Sequence, residues 1–481
     1  MTSSSNQSVP NQSLPKQIHV TGICGVANSA IAIALHRRGV IVTGSDKGFY
    51  PPVSTYLTEA GIAYYAGWHP ENIEAHGTPD FIMTGGSGTS PSNPELIYAR
   101  EHGIPIHAFP EVLNKYFIRK NSIVIAGTWG KTTISALVSF VLIKAGFDPS
   151  YFSGGLSLSH PTGALTDSAW SVVEGDEYQI GISDKRPKFA CYAPTHLLLT
   201  SVAWDHADLY PTEADYFNTF KKLVTDIPSS GLLVVCADDQ GVKKVIVNCH
   251  APIISYGKDP AASYHFGSVK QTKNGLSFEV IHGTNSYRLE SPMLGTFNAE
   301  NITAAFALAH AIGINPEIIV SAIKEFKGIK RRFEKRLESD VTVFDCHAPT
   351  PDKVASVLRE LRQIYTGKII AVFEPNIGGR SRETASKYDR AFKDSDVVII
   401  PRLTKLKLAE NDTTQSLEGD ELTKIISKTQ PNVKYIDDDA QLVVFATTQA
   451  HKEDIIVFLG SHGFRGMIEE TVALGAKSPR K

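Results

Sequence analysis

A short apolar run that enters a glycine loop and then a helix is the feature that most constrains this chain. Ser122-Ile-Val-Ile-Ala126 predicts a buried strand, Gly127-Thr-Trp-Gly-Lys-Thr-Thr133 follows as the loop, and a helical pattern continues to Ala145. Glycines let backbone N–H groups converge on phosphate oxygens, and the start of a helix adds a partial positive charge. The segment therefore predicts an α/β sheet with a phosphate-binding loop at one strand end.

Two side chains of this loop point to ATP. Lys131 supplies a mobile cation for the outer phosphates, and the Thr132 hydroxyl is suited to Mg²⁺. Two residues separate the glycines where the full Walker pattern has four, so a chance glycine turn before a helix is the alternative. Strand, loop and helix in succession argue against that alternative. We predict that ATP is held by Gly127, Thr128, Gly130, Lys131, Thr132 and Thr133.

Strand and helix signals alternate along most of the chain, and 481 residues exceed what one hydrophobic core supports. We predict three α/β domains after a disordered leader. The first segment begins as a doubly wound sheet, the second begins with the buried strand and the glycine loop, and the third is again an α/β layer pattern. The predicted boundaries are 1–16 for the leader, then 17–120, 121–333 and 334–481.

Charge and composition exclude several partners. A net charge of −2 argues against binding to nucleic acid or to an anionic membrane. No stretch approaches the ~18 uninterrupted apolar residues of a membrane-spanning helix. The five cysteines are scattered and odd in number, which is typical of reduced thiols. We therefore expect a cytoplasmic protein.

A second glycine turn, Gly22-Ile-Cys-Gly25, follows an apolar strand near the N-terminus. It lacks the full dinucleotide fingerprint, because Asn28 stands where the third glycine would fall. Taken alone, the turn fits a structural βα connection as well as a ligand site. Ser45 and Asp46 end the next strand, about 20 positions on, where an acid accepts hydrogen bonds from a ribose or base. The combination favours a nucleotide-derived ligand.

Acids and an imidazole follow two further apolar strands. The first strand ends in Glu174-Gly-Asp176-Glu177, and Asp205-His206-Ala-Asp208 follows the second. An isolated Asp-His pair is usually a surface turn. Mg²⁺, however, takes one or two carboxylates beside waters and phosphates, and both strands deliver their acids to the sheet edge that carries Lys131. We therefore predict a magnesium site there.

These motifs together resemble the Mur ligase family, which builds the peptide of bacterial cell-wall precursors. The resemblance spans about residues 17–481. It rests on 127–133, Glu174, 205–208, Gly295-Thr-Phe-Asn298-Ala-Glu-Asn301 and Arg331-Arg332-Phe333. Within the family, several stretches look like the murein peptide ligase branch, which recycles the wall tripeptide. These stretches are 43–46, 50–55, 176–178, 184–189, 204–208 and 460–466.

The resemblance implies an ATP-dependent carbon–nitrogen ligase with a Rossmann-like N-terminal domain, a central domain whose mixed sheet is of the P-loop ATPase type, and a Rossmann-like C-terminal domain. We expect a monomer or weak homodimer. A carboxylate of UDP-N-acetylmuramate would be phosphorylated to an acyl phosphate, which an amine then attacks. The N-terminal domain would hold the UDP-sugar through Gly22, Gly25, Ser45 and Asp46. Catalysis would depend on Lys131, Glu174 and His206.

The remaining cofactor contacts also follow from the family motifs. Thr132, Glu174 and His206 would ligate Mg²⁺. Asn298 and Asn301 would face the adenine of ATP. Either Arg331 or Arg332 would reach the phosphates, and Asp345 would meet the ribose.

The chain departs from the family pattern at three places. After Asp345 the family carries an acid and a His-His-Pro turn, whereas this chain reads Cys346-His347-Ala-Pro349. His347 is either a partial substitute or a surface residue. Asn376 replaces an arginine of the murein peptide ligase branch, and Phe297 replaces a histidine. Two of the three changes fall in the C-terminal domain, where the amine would bind.

Three functions therefore stay open. We predict a ligase that joins a short peptide, L-alanyl-γ-D-glutamyl-meso-diaminopimelate, to UDP-N-acetylmuramate in peptidoglycan recycling. The first alternative is the ligase of peptidoglycan synthesis that adds L-alanine to the same acceptor. The second is a catalytically weakened, nucleotide-binding regulatory homologue. The missing histidine pair supports this last alternative, and the intact set of Lys131, Glu174 and His206 disfavours it.

Overall fold

A computed structural model describes residues 13–85, 89–181, 184–206, 209–376, 378–404, 416–461 and 463–476. These residues form three sheets of five, ten and six strands, which confirms the prediction of an α/β chain with three domains. No helix in these ranges is both long and apolar enough to cross a membrane. Most of the predicted leader, together with Asp208 and His462 of the family motifs, lies outside the described residues.

The chain separates into two compact units, described one at a time below. The first unit extends through Val269 and includes two later segments, Ser277–Ser291 and Ala299–Lys327. The second unit comprises Lys270–Leu276, Pro292–Asn298 and the chain from Gly328 onward.

The five-stranded sheet is parallel throughout. Its elements are β1 (Gln17–Thr21), α1 (Val26–His36), β2 (Ile41–Asp46), α2 (Val53–Glu59), β3 (Ala63–Ala66), β4 (Phe81–Thr84), α3 (Pro94–Glu101), β5 (Ile106–Ala108) and α4 (Phe109–Tyr116). The strand order is β3-β2-β1-β4-β5. The order reverses direction between β1 and β4, and ligands of such sheets bind in the crevice at that switch point. Thr21 pairs with both Ser45 and Thr84, so three strands end at one edge there.

The ten-stranded sheet carries the glycine loop. Its elements are β6 (Asn121–Ala126), α5 (Lys131–Lys144), β7 (Ser150–Phe152), β8 (Gly163–Ala164), β9 (Trp170–Gly175), β10 (His196–Leu199), α6 (Glu213–Thr225), β11 (Leu232–Cys236), α7 (Gln240–Val245), β12 (Ile253–Gly257), β13 (Tyr264–Thr272), β14 (Gly275–His282), β15 (Asn285–Ser291), α8 (Asn298–Ala311) and α9 (Pro316–Glu325). The order is β15-β14-β13-β12-β11-β10-β6-β9-β7-β8. β6 lies between β9 and β10, parallel to both, whereas β7 and β8 are antiparallel. This is the mixed sheet that the sequence predicts.

The six-stranded sheet forms the core of the second unit. Its elements are β16 (Glu334–Glu338), β17 (Thr342–Cys346), α10 (Pro351–Arg362), β18 (Ile369–Glu374), β19 (Val397–Pro401), α11 (Gly419–Ile426), β20 (Val433–Ile436), α12 (Asp439–Gln449), β21 (Ile455–Gly460) and α13 (Met467–Ala476). The order is β16-β17-β21-β18-β19-β20, and β16 alone runs antiparallel to its neighbour. Ile369 and Ala371 pack in one core cluster and Ile370 and Val372 in another. Both faces of the sheet are therefore covered, which explains its continuous apolar strands.

Candidate functional site

The glycine loop joins β6 to α5, and its backbone requires glycine at two positions. Gly127 has φ +127° and Gly130 has φ +84°, a region that side chains other than glycine rarely adopt. A Cβ placed on Gly127 would lie 2.2 Å from the Thr200 Oγ1 atom. The Thr128 N–H donates to the Ser201 carbonyl at 2.9 Å. The segment after β10 therefore fixes the loop, and Thr133 is buried in the first turn of α5.

Lys131, the predicted phosphate cation, is held by the end of β9. Its Nζ donates to Glu177 Oε2 at 2.7 Å and to the Gly127 carbonyl at 2.6 Å. The Glu177 side chain is only 2% exposed, so this carboxylate depends on its cationic partner. The sequence singled out Glu177 only as one of three adjacent acids and assigned it no role. That run of acidic residues at the end of an apolar strand was the signal in the sequence that could have pointed to Glu177.

Two of the three predicted magnesium ligands lie together. Thr132 Oγ1 donates to Glu174 Oε1 at 3.0 Å, and the Gly154 N–H donates to Glu174 Oε2 at 2.6 Å. A hydroxyl and a carboxylate are hard oxygen donors of the kind that Mg²⁺ prefers. This pair at the mouth of the loop fits a magnesium ion beside a nucleotide.

His206, the third predicted ligand, lies beside Glu177. Its Nε2 is 3.6 Å from Glu177 Oε1 and 4.0 Å from Asp205 Oδ2. The nearby carboxylate of Glu177, with smaller help from Asp205, outweighs burial and raises the pKa of His206. A histidine must lose its proton to ligate a metal, so a cation and a proton would compete for this imidazole.

One group of three acidic, thiol or imidazole ligand atoms lies within 4.8 Å of one another in the described part of the chain. It consists of Cys236, Asp238 and Glu300. Neither Glu174 nor His206 belongs to it. The predicted set of Thr132, Glu174 and His206 therefore stays a prediction.

The N-terminal glycine turn is closed by β2. The Gly22 N–H donates to the Ser45 carbonyl at 2.8 Å, and Gly25 caps the start of α1. Asp46 accepts from the Cys24 N–H at 2.9 Å. Asp46 thus stabilises the turn whose ligand it was predicted to bind, and its role toward a ligand stays a prediction.

Ser45 points away from the turn into a buried polar network. Its hydroxyl donates to Glu95 Oε2 at 2.5 Å, and the Thr21 hydroxyl donates to the same oxygen at 3.1 Å. Ser45, Thr21 and Glu95 are all fully buried. The Glu95 carboxylate therefore links the ends of β1 and β2. The predicted contact of Ser45 with a substrate stays a prediction.

A cavity of about 340 Å³ connects the N-terminal turn with the central sheet. Its lining includes Gly22, Gly25 and Asn28 of the N-terminal turn and α1. It also includes Glu174, Asp176 and Lys188, and we call the part of the lining that these three form the acidic end. The predicted acceptor turn and the predicted phosphoryl-transfer edge therefore open into the same space.

Lys188 brings a cation to this otherwise acidic end of the cavity. Its Nζ donates to Asp176 Oδ2 at 2.5 Å. Burial opposes ionisation of Asp176, but Lys188 outweighs it and the pKa of Asp176 is lowered. Lys188 lies in a segment that resembles the murein peptide ligase branch, yet the sequence assigned it no role.

In the second unit, Arg331 and Asp345 bind each other. Arg331 Nε donates to Asp345 Oδ1 at 3.1 Å, and its Nη atoms donate to the carbonyls of Ser461 and Gly460. Burial outweighs the attraction of Arg331 and raises the pKa of Asp345. Arg332 is exposed. The predicted contacts of all three with ATP stay predictions.

The two predicted adenine contacts, Asn298 and Asn301, lie in the first turn of α8. Asn298 is buried and donates through Nδ2 to the Leu294 carbonyl at 2.7 Å. Asn301, in the first unit, lies beside the phosphate loop, because a Cβ on Gly130 would be 2.6 Å from its Oδ1. The structure thus brings Asn301 to the predicted nucleotide site.

Family comparisons cover nearly the whole chain. The Mur ligase family catalytic domain matches residues 17–120, the Mur ligase middle domain matches 125–309, and the Mur ligase glutamate ligase domain matches 331–462.

Individual relatives cover similar lengths. UDP-N-acetylmuramate–L-alanine ligase of Rhizobium etli is 30% identical over 93% of this chain and 95% of its own. UDP-N-acetylmuramate–L-alanyl-γ-D-glutamyl-meso-2,6-diaminoheptandioate ligase of Haemophilus influenzae is 30% identical over 75% of this chain and 80% of its own. The crystal structure of UDP-N-acetylmuramate–alanine ligase from Thermotoga maritima superposes with a TM-score of 0.79 at 22% identity, covering 96% and 100% of the two chains. At that identity, it shows a shared fold.

Proposed function

Since this chain belongs to the Mur ligase family and is an ATP-dependent acid–amino acid ligase, we propose that its acceptor is the carboxylate of UDP-N-acetylmuramate. The observation that carries this proposal is the shared cavity. The first turn of α1, which begins at Val26 and Ala27 beside the glycine turn, lines this cavity and suits a diphosphate, because N–H groups at the start of a helix have no acceptor within the helix. Glu174 and Lys188 line the acidic end, where the acceptor carboxylate would meet ATP.

The loop after β6 would hold ATP at that end. When ATP is bound, the ammonium group of Lys131 would move partly away from Glu177 and toward the β- and γ-phosphates. Their negative charge would compete with the Glu177 carboxylate for the same cation. Thr132 and Glu174 would hold Mg²⁺, which neutralises phosphate charge when it is bound. Asn301, next to Gly130, would face the adenine.

The chemistry requires an activated carboxylate. A carboxylate oxygen would attack the γ-phosphorus, forming an O–P bond while the bond to ADP breaks. A neutral amine would then attack the acyl carbon, a C–N bond would form, and inorganic phosphate would leave with the acyl oxygen. Lys131 stabilises the charge that spreads over the transferring phosphoryl group. The cavity positions the two reactants and limits the access of water to the acyl phosphate.

L-Alanine is the amine that the relatives favour, and it was the alternative in the sequence-based prediction. The Rhizobium etli L-alanine ligase aligns over 93% of this chain, whereas the Haemophilus influenzae peptide ligase aligns over 75%. We therefore propose L-alanine as the first candidate. The peptide L-alanyl-γ-D-glutamyl-meso-diaminopimelate is the second, because Asp176, Tyr178 and Lys188 lie in segments that resemble the peptide ligase branch.

Phosphate release from Mg-ATP tests both candidates. The purified chain is mixed with UDP-N-acetylmuramate and with L-alanine, the tripeptide or no amine, and the product is identified by mass. Amine-dependent phosphate with the corresponding amide product is the expected result, and the productive amine selects the candidate. If the purified chain binds ATP and yet forms a product with neither amine, the proposal is wrong.

A further inference from the structure

A single asparagine in the cavity has an amide whose orientation the backbone determines. Asn28 is the third residue of α1 and is 3% exposed. Its Nδ2 donates to the Gly22 carbonyl at 2.9 Å and lies 3.5 Å from the Thr21 carbonyl. Carbonyl oxygens only accept hydrogen bonds, so the nitrogen must face them. The amide oxygen therefore faces the other way.

That oxygen is a buried acceptor without a donor. Asn28 Oδ1 has no hydrogen-bond partner among the described residues, which stop at Gly85 and resume at Thr89. It points toward Gly85, where a Cβ would lie only 2.6 Å away. Asn28 and Gly85 both line the cavity. Because a buried polar atom without a partner is costly, this oxygen is poised for a donor supplied by a ligand.

The position of the oxygen restricts which donor that is. Gly85 follows β4 and Gly22 follows β1, so Asn28 lies in the switch-point crevice where ligands of such sheets bind. A diphosphate at the start of α1 offers ionised oxygens, which only accept and would repel an amide oxygen. The acceptor's carboxylate is likewise an acceptor. The hexosamine between them carries an acetamido N–H and hydroxyl groups.

We propose that Asn28 is a specificity-determining residue that accepts a hydrogen bond from a neutral donor, N–H or O–H, on the hexosamine of the acceptor. This inference rests on the proposed function, because it presumes a UDP-sugar in the cavity. It assigns the start of α1 two tasks. The backbone N–H groups of its first turn bind the diphosphate, and the side chain of Asn28 recognises the sugar attached to it.

Binding of UDP and of UDP-N-acetylmuramate to the Asn28→Leu variant tests the proposal. Leucine has nearly the shape of asparagine and lacks both amide atoms. We expect affinity for UDP-N-acetylmuramate to fall about five- to tenfold, the worth of one hydrogen bond, and affinity for UDP to change less than about twofold. Isothermal titration of the full chain measures both.

Equal losses for the two ligands would overturn the proposal, because a damaged turn or a contact with the uridine moves both affinities alike. Unchanged affinity for UDP-N-acetylmuramate would overturn it as well. The matched control is Asn72→Leu. Asn72 also has an unpartnered buried amide atom, Nδ2, and does not line the cavity, so this variant should keep both affinities. A wild-type chain that binds UDP-N-acetylmuramate no more tightly than UDP would contradict the proposed acceptor itself.

Discussion

The two glycine turns of the first unit have the same local design and different chemistry. In each, a parallel strand ends, a glycine with positive φ follows, and a helix begins within a few residues. The N-terminal turn leads into a helix whose first turn holds Asn28 and no charge. The central turn leads into Lys131 and Thr132, which meet Glu177, just after β9, and Glu174, within β9. Both turns therefore lead into the N-terminus of a helix, and we predict that side chains distinguish a turn that only holds a phosphate from one that transfers it.

The two turns also differ in how tightly they are enclosed. A Cβ on Gly127 would overlap Thr200 Oγ1 at 2.2 Å, whereas a Cβ on Gly25 would lie 3.4 Å from the Gly22 carbonyl. The segment after β10 closes over the central loop, while the N-terminal turn opens into the cavity. Rigid enclosure suits a site that must align a reaction, and an open turn suits one that binds a large acceptor.

The largest expected effect is on turnover, and it distinguishes phosphoryl transfer at the central turn from binding of the acceptor at the N-terminal turn. Lys131→Met should lower turnover on the order of a thousandfold, because the charge on the transferring phosphoryl group loses its cation. Affinity for UDP-N-acetylmuramate should stay within about twofold, because the N-terminal turn is untouched. Steady-state kinetics and isothermal titration measure the two effects. Lys144→Met, at the exposed end of the same helix, is the control, and turnover within tenfold of wild type in Lys131→Met would refute the loop assignment.

A second comparison concerns enclosure. Gly127→Ala should lower the free energy of unfolding by about 2–4 kcal/mol, since the new methyl group meets both a positive φ and Thr200. Gly25→Ala should cost less than about 1 kcal/mol, because Gly25 has φ −66° and alanine is only a poorer helix cap. Urea unfolding measures both. Equal losses would show that the two turns are equally enclosed.

Glu177 is expected to contribute less than Lys131 to turnover, because it acts through that lysine. Glu177→Gln should lower kcat about tenfold to a hundredfold by loosening the position of Lys131, whereas exposed Glu101→Gln should not. The carboxylate of Glu177, 3.6 Å from His206 Nε2, is the main cause of the raised pKa of His206, so this pKa should fall in Glu177→Gln. An NMR titration, with His206→Gln assigning the resonance, measures it. An unchanged His206 pKa would contradict this geometry.

The segment from β6 to α5 was predictable because its signals are local. An apolar strand, glycines and a helix follow one another in the chain, and each element specifies its own conformation. The partners of Glu174, Asp176 and Glu177 were not predictable in this way. These neighbouring acids pair with Thr132, Lys188 and Lys131 respectively. Adjacent positions share a sequence environment, and tertiary contacts alone separate their roles.

Ser45 and Asp46 show the same limit at the N-terminal turn. The sequence predicts both as ligand contacts because both end β2. Successive side chains of a strand point to opposite faces, and Ser45 turns toward Glu95, which is 50 residues away in the chain. A buried acid on a helix that follows another strand carries no local signal, so this network required the structure.

The smallest expected effect is on stability, and it concerns the ion pair of Asp176 and Lys188 in the lining of the cavity. In the folded chain Lys188 lowers the pKa of Asp176 below its unfolded value of about 3.9. The pair therefore stabilises the fold above about pH 4, and this stabilisation is lost as the pH falls through the folded pKa. Lys188→Met should lower the free energy of unfolding at pH 7 by about 0.5–1 kcal/mol, a value reduced for solvent screening because Asp176 is 36% exposed.

The pH dependence distinguishes this ion pair from simple packing of the Lys188 side chain. In Lys188→Met the burial of Asp176 loses its main opposing charge, so the pKa of Asp176 should rise and protonation in acid should relieve part of the penalty. The difference in urea midpoint between variant and wild type should shrink below about pH 5, and Asp176→Asn combined with Lys188→Met should show no such pH dependence. A difference that stays constant from pH 7 to pH 4 would mean that Lys188 stabilises the fold without Asp176, through the rings of Phe109 and Tyr178, whose centroids lie 5.4 and 5.5 Å from its Nζ. In that case the two rings, and not the ion pair with Asp176, would hold the cation of Lys188 beside the acidic residues of the cavity.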